Sequence, residues 1–159
     1  MTFPFSVEER ASPDAAMDAL FQRAFRSPPP SFPRHFVCVH GAAPLGACAY
    51  VHFTAFEPGV YLLGGLCVDA RIYRQLAPHE RAAIASRGSL SRWLMESSIA
   101  SLGPKRAVFA YTGNIISRRD TAVLGFALAR PPYLIVQWHS EAPGERAAVV
   151  ERVARLGPF

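Results

Sequence analysis

The stretch "RHFVCVHGAAPLGACAYVHFTAFEPGVYLLGGLCVDA", Arg34–Ala70, decides the fold. It holds three apolar runs rich in Val, Phe, Tyr and Cys, broken by "GAAPLG" and "EPG". Such runs between turn residues read as strands. Pro58-Gly59 suits the two central positions of a type II turn, where proline presets φ and glycine supplies the positive φ. Three consecutive strands with short turns predict an antiparallel meander. If Glu57 pairs with Val60, His52 falls opposite Gly65 and Phe53 opposite Gly64. Two glycines inside a strand weaken it and need a reason. A bulge, a close backbone approach and packing beneath a large side chain are all open.

Toward the N-terminus, "SPPPSFP" at Ser27–Pro33 is extended and closes the helix before it. That helix is expected over Pro13–Arg26, with Ser12 as N-cap and Pro13 at its first position. Ala16, Met17, Leu20, Phe21, Ala24 and Phe25 recur at helical spacing and predict one buried face. A weak strand precedes it. Toward the C-terminus, a helical segment is expected around His79–Ala85. The helix of "SRGSLSRWLMESSIASLG" follows, with Trp93, Leu94, Ser97, Ser98 and Leu102 on its inner face and Gly103-Pro104 as its stop. Then come a strand at Arg106–Thr112, a short helix ending at Gly125, a strand "PYLIVQWH" and a helix "PGERAAVVERVARLG". This order predicts a single α/β domain, 1–159, with a mixed sheet and helices on both faces.

The totals narrow the function. The chain has 159 residues, half of them hydrophobic and 18% charged, which excludes a disordered chain. Lys+Arg is 17 against 12 Asp+Glu, a net +5 carried almost wholly by arginine. Arginine suits phosphate groups. The arginines form no run and do not interleave with aromatics, so no nucleic-acid surface is expected. Cys38, Cys48 and Cys67 sit in apolar runs with no CxxC spacing and read as reduced core residues of a cytoplasmic protein. The start of the chain lacks a signal-peptide pattern and no run is long enough for a membrane span. His35, His40, His52, His79 and His139 show no metal-binding spacing, so no metal is expected.

"SRGSLSRWLMES", Ser86–Ser97, opens a helix on small and basic residues. A helix N-terminus presents unpaired N–H groups and a partial positive charge, a seat for phosphate. Together with "NIISRRDTAVLGF", the chain resembles the GCN5-related N-acetyltransferase (GNAT) family. The family's cofactor loop reads roughly R-G-x-G-x-[GA] before an apolar helix. Arg87, Gly88, Ser89, Leu90, Ser91 and Arg92 take those positions. Asn114, Ser117, Gly125 and Phe126 fit the second motif. The resemblance in element order spans nearly the whole chain. It implies a GNAT-like α/β fold, an antiparallel meander with a splayed parallel strand pair. It implies acetyl-CoA, or another acyl-CoA, as cosubstrate, its diphosphate on Arg87–Arg92. It further implies pantetheine along Leu66, Cys67 and Val68, with Asn114 beside the cofactor arm. The implied partner is an amine acceptor, a small molecule or peptide, acylated by direct attack.

The chain departs from the family pattern in three places. Leu90 replaces the second glycine, and its side chain is expected to crowd the phosphate. Ala70–Ala85 lengthens the link between strand and loop, either as a lid or as surface decoration. Thr121 stands where the family often has an acidic tyrosine, and its hydroxyl is expected to position a water. No carboxylate lies in Tyr61–Val68. His52 is the titratable candidate for catalysis, against the alternative of a histidine on a solvated strand face. Glu57, Asp69, Tyr73 and Tyr111 are weaker candidates. Two other readings remain open: a catalytically degenerate module that binds acyl-CoA or a protein partner, and a cofactor-free domain whose apolar faces form a homodimer.

Overall fold

The computed structural model describes residues 3–41 and 46–159. Its strands β1 (Phe5–Arg10), β2 (Arg34–His40), β3 (Ala47–Glu57), β4 (Val60–Val68), β5 (Ala107–Tyr111), β6 (Ala127–Arg130) and β7 (Leu134–Trp138) form one sheet. The order is β1-β2-β3-β4-β5-β7-β6. The helices are α1 (Ala15–Phe25), α2 (Ile72–Gln75), α3 (Pro78–Ser86), α4 (Leu90–Ser101), α5 (Ile115–Val123) and α6 (Arg146–Ala154). The expected mixed α/β architecture is therefore present. The turn expected at Gly41–Gly46 falls, over 42–45, outside the described residues.

The chain forms two compact units. The first comprises residues 1–52 and 65–101. Here β1 pairs antiparallel with β2, Phe5 opposite His40 and Arg10 opposite His35. Met17, Leu20 and Phe21 of α1 pack with Val37, Tyr50 and Cys67. The helix begins two residues later than expected. Asp14, not Ser12, is the N-cap, its carboxylate accepting from the Ala16 and Met17 amides at 3.0 and 2.9 Å. An aspartate also complements the helix dipole, so it outcompetes the Ser-Pro start. Ala16, Ala24 and Phe25, expected inside, are exposed.

Helix α4 buries Leu90, Leu94, Met95, Ser98 and Ile99 and packs against β1 and β2. Trp93 is only half-buried, edge-on to Phe3. The long link after β4 is ordered as α2 and α3. Ile72, Leu76 and Ile84 are buried. The Glu80 carboxylate accepts from the Ala77 amide at 2.8 Å and lies 2.7 Å from His40 Nε2. The three cysteines are free and buried, and burial raises the thiols of Cys38, Cys48 and Cys67.

The second unit comprises 53–64 and 102–159. Gly59 has φ +75, as the expected type II turn requires. Its carbonyl accepts from the Arg106 amide at 2.7 Å. Arg106 also pairs with Glu141, and Arg152 with Glu57 at 2.8 Å. Strand β5 runs parallel to β4 from Val60/Ala107 to Leu63/Ala110 and antiparallel to β7. Val60, Leu62, Phe109, Leu134, Val149 and Val153 form the core. Strand β6 is not expected from the sequence. "ALAR" is short and mostly exposed, and it lies at the sheet edge where no apolar alternation is required.

Candidate functional site

The sequence-expected loop lies in the first unit. Helix α3 ends at Arg87, whose amide donates to Ile84 at 2.9 Å. Gly88 follows with φ +88, a left-handed conformation that a side chain adopts only at a cost. Ser89 then caps α4. Its hydroxyl oxygen accepts from the Arg92 amide at 3.0 Å, its carbonyl accepts from Trp93 at 3.1 Å, and Ser91 Oγ lies 3.0 Å from Ser89 Oγ. One of the helix's orphan donors is thus met by its own cap.

Two arginines frame the loop. Arg92 folds back and donates Nε to the Arg87 carbonyl at 2.9 Å. Its guanidinium crosses Gly88 so closely that a Cβ there would lie 1.7 Å from one terminal nitrogen. Arg87 stacks its guanidinium 4.3 Å from the Phe3 ring centroid. Leu90 does not crowd the loop. It is fully buried, because at the first turn of α4 its side chain joins the inner face. The expected steric obstacle to phosphate is thereby corrected.

Strand β4 carries Leu66, Cys67 and Val68, which alternate in burial. Cys67 points into the core while Leu66 and Val68 stay half-buried. The ladder to β5 covers Val60–Leu63, and Leu66–Val68 lie beyond it. Between them, Gly65 has φ +62 and sits beneath His52 and Phe21. A Cβ there would be 2.6 Å from His52 Nδ1 and 2.6 Å from Phe21 Cε2. Of the three reasons open for a strand glycine, packing beneath large side chains operates at Gly65, together with a left-handed backbone.

His52 is buried, not on a solvated strand face. Strand β3 is buried continuously from Cys48 to Phe53, and Phe21 of α1 packs beside the imidazole. His52 Nδ1 lies 3.3 Å from the Tyr50 hydroxyl, which lies 2.7 Å from His35 Nδ1. Burial first, then the charge of His35, pushes His52 down to about 4. Burial also lowers His35 and raises Tyr50. All three groups are neutral near pH 7. A lone hydroxyl bridging two imidazoles donates to one and accepts from the other, which couples their tautomers.

Asp69, a weaker candidate from the sequence, follows β4 directly. It is buried, yet it accepts from Arg71 Nη2 at 2.7 Å, from Arg23 at 2.9 Å and from the Arg71 amide at 3.0 Å. Hydrogen bonds from Arg71 bring its carboxyl down to about 2 despite burial. Only the fold brings Arg23 of α1 to this carboxylate.

Asn114 and Thr121 belong to the second unit. Asn114 caps α5, its side-chain oxygen accepting from Ile116 at 2.8 Å and Ser117 at 3.3 Å. Thr121 is buried, and its hydroxyl donates to the Ser117 carbonyl at 2.8 Å and lies 3.1 Å from that of Arg118. Its one proton is spent inside its own helix, so toward a water the hydroxyl could act only as an acceptor. Among the described residues, no group of His, Cys, Asp or Glu suits a metal. Nor is any described helix long and apolar enough to cross a membrane.

No protein-family model matches the sequence, and no curated protein matches it. Solved structures do match. An acetyltransferase from Streptococcus agalactiae is 10% identical over 86% of this chain and 99% of its own, with TM-score 0.56. A GNAT-family acetyltransferase from Streptococcus pneumoniae is 13% identical over 85% and 99%, with TM-score 0.55. An acyl-CoA N-acyltransferase from Pseudomonas aeruginosa is 12% identical over 83% and 95%, with TM-score 0.51. At these identities the likeness establishes the fold: this chain has the fold of GNAT acetyltransferases.

Proposed function

We propose that this chain belongs to the GNAT family and transfers an acyl group from acyl-CoA, acetyl-CoA in the first instance, to the amine of a small molecule or peptide. The observation that carries the reading is the turn at Gly88. A left-handed glycine delivers the chain into a serine-capped α4, and the Arg92 guanidinium already lies over that turn. A diphosphate seated there would meet main-chain amides, the positive end of α4 and one or two guanidinium forks. The main chain of Leu66, Cys67 and Val68, in the same unit, is assigned to pantetheine. Asn114 keeps its proposed place beside the cofactor arm.

In the proposed reaction the amine nitrogen attacks the thioester carbon. A C–N bond forms, the C–S bond breaks, and CoA leaves as thiolate. Main-chain N–H groups of β4 would hold the developing oxyanion. The free amine has a pKa near about 10 and must enter deprotonated. Once the C–N bond forms, the nitrogen becomes far more acidic, so a weak base suffices to take its second proton. His52, neutral at physiological pH, is the candidate for that step.

A second reading, a module that binds acyl-CoA without turnover, is favoured by a specific observation. Thr121 has no proton to offer, and His52 is both buried and weakly basic. Crystals grown with acetyl-CoA, combined with thiol release over an amine panel, test both. Diphosphate within hydrogen-bond reach of the Gly88–Arg92 amides, with thiol release, supports the enzyme. The same pose with no release on any amine supports the module. No bound cofactor at millimolar concentration overturns both.

A further inference from the structure

Two open clefts, about 240 and 300 Å³, share one ionic cluster where α1 meets the end of β4, the larger also lined by Ala47 of β3 and by α2. Arg23, Asp69 and Arg71 line both. Leu20, Ala24 and Val68 add an apolar wall to the smaller cleft, and Ala16, Ala47 and Ile72, with the polar Gln75, complete the larger. The cluster is unbalanced. Arg71 alone serves both Asp69 oxygens, with Nε 3.0 Å from Oδ1 and Nη2 2.7 Å from Oδ2. Arg23 reaches the same carboxylate through a single Nη2, at 2.9 Å. Its side chain is 42% exposed and that of Arg71 53%. A guanidinium has five N–H donors, so both arginines, which line the clefts, retain donors beyond those spent on Asp69. Two cations on one carboxylate leave a surplus positive charge beside apolar walls. That combination fits a small anion carrying a short apolar body.

We propose that this double cleft is a subsite for the carboxylate of the acceptor, which makes the acceptor a small amino-carboxylate. The assignment rests on the acyltransferase reading for the amine, while the anion site rests on the cleft alone. Val68 ties the two, since it lines one cleft and belongs to the strand segment assigned to pantetheine. The carboxylate would take the spare fork of Arg23 and a terminal nitrogen of Arg71, leaving the Arg71–Asp69 pair in place. The volume excludes a folded polypeptide surface and admits a free amino acid or a short carboxylate.

The test compares L-alanine with L-alaninamide, which share an amine and differ in the carboxylate, with sodium acetate as the bare anion and inorganic phosphate as the other oxyanion. Binding is read by NMR at the arginine Nε–H groups, and CoA affinity by calorimetry in parallel. Expected are shifts of Arg23 and Arg71 with alanine and acetate, at least about tenfold weaker binding of alaninamide, and loss of that preference in Arg23→Gln. CoA affinity in Arg23→Gln should stay within about twofold. Asp69→Asn, which frees the Arg71 fork, should tighten acetate severalfold if the fold holds; Arg23→Gln tests the site even if it does not. Equal binding of alanine and alaninamide overturns the proposal, as does a preference for phosphate over both carboxylates. So does loss of CoA affinity in Arg23→Gln, which would make the cleft part of the cofactor seat. A wild type that selects alanine over alaninamide but binds no CoA keeps the anion site and removes the transferase reading.

Discussion

The Arg92 guanidinium lies across Gly88, held by Nε–H donation to the Arg87 carbonyl at 2.9 Å. The contact occupies the turn that the sequence marks as a phosphate seat. In the proposed function this single-glycine loop stands where the family pattern has a second glycine. The side chain that covers the turn is long, flexible and cationic, so under the proposed function a diphosphate arriving there would recruit it.

Arg92→Ala should therefore weaken CoA by about tenfold, about 1.4 kcal/mol, and flatten its salt dependence. Melting temperature should hardly change, because the side chain contributes one surface hydrogen bond. Calorimetry at two ionic strengths measures this. Tighter binding in Arg92→Ala would mean that the guanidinium blocks the turn.

Gly88→Val separates backbone from packing. With φ +88, any side chain costs roughly 1–2 kcal/mol in the fold, and the nearest obstacle is only the movable end of Arg92. CoA binding should fall far more, beyond tenfold, since a branched side chain would stand where the diphosphate approaches. Parallel denaturation and calorimetry check it; equal losses in both would assign the glycine to folding alone.

Gly65→Ala should be among the more damaging substitutions in the first unit. Its Cβ would collide with His52 Nδ1 and Phe21 Cε2, both at 2.6 Å, in a backbone at φ +62. Overpacking and backbone strain together suggest a loss of roughly 2–4 kcal/mol. Urea denaturation measures it, and a loss below about 1 kcal/mol would show that the His52 ring swings away freely.

His52 predicts an acid limb in stability. Its protonated form is disfavoured in the fold, with a pKa of about 4 against 6.5 for the free side chain. Below pH 6.5 the unfolded chain binds the proton first, so stability declines as pH falls from 6.5 through 4. The full contribution is about 3 kcal/mol. Asp69, held at about 2 against 3.8, extends the decline below pH 4. Denaturation curves between pH 7 and 4 should be clearly shallower for His52→Gln than for the wild type.

The meander strands, the strand "AVFAY" and the two motif helices were legible because each is a local signal, whereas the parallel pairing was implied only by the family resemblance. Alternating apolar runs, Pro58-Gly59 and Gly103-Pro104 act on neighbouring residues whatever surrounds them. Edge strand β6 was not legible, since Ala127–Arg130 buries almost nothing and so bears no pattern. The N-cap of α1 was misplaced because Ser12 and Asp14 both satisfy the local rule, and only side-chain geometry chooses between them.

Sequence by itself determined the order of elements and the identity of the residues at the proposed cofactor turn. Tertiary structure alone decided which way those residues face: Leu90 inward, Arg92 over Gly88, His52 beneath Phe21, Thr121 back onto its helix, Arg23 onto Asp69. The physical reason is range. Backbone preferences and periodicity are set by residues a few positions apart, whereas burial, charge pairing and proton affinity depend on groups that only the folded chain brings together.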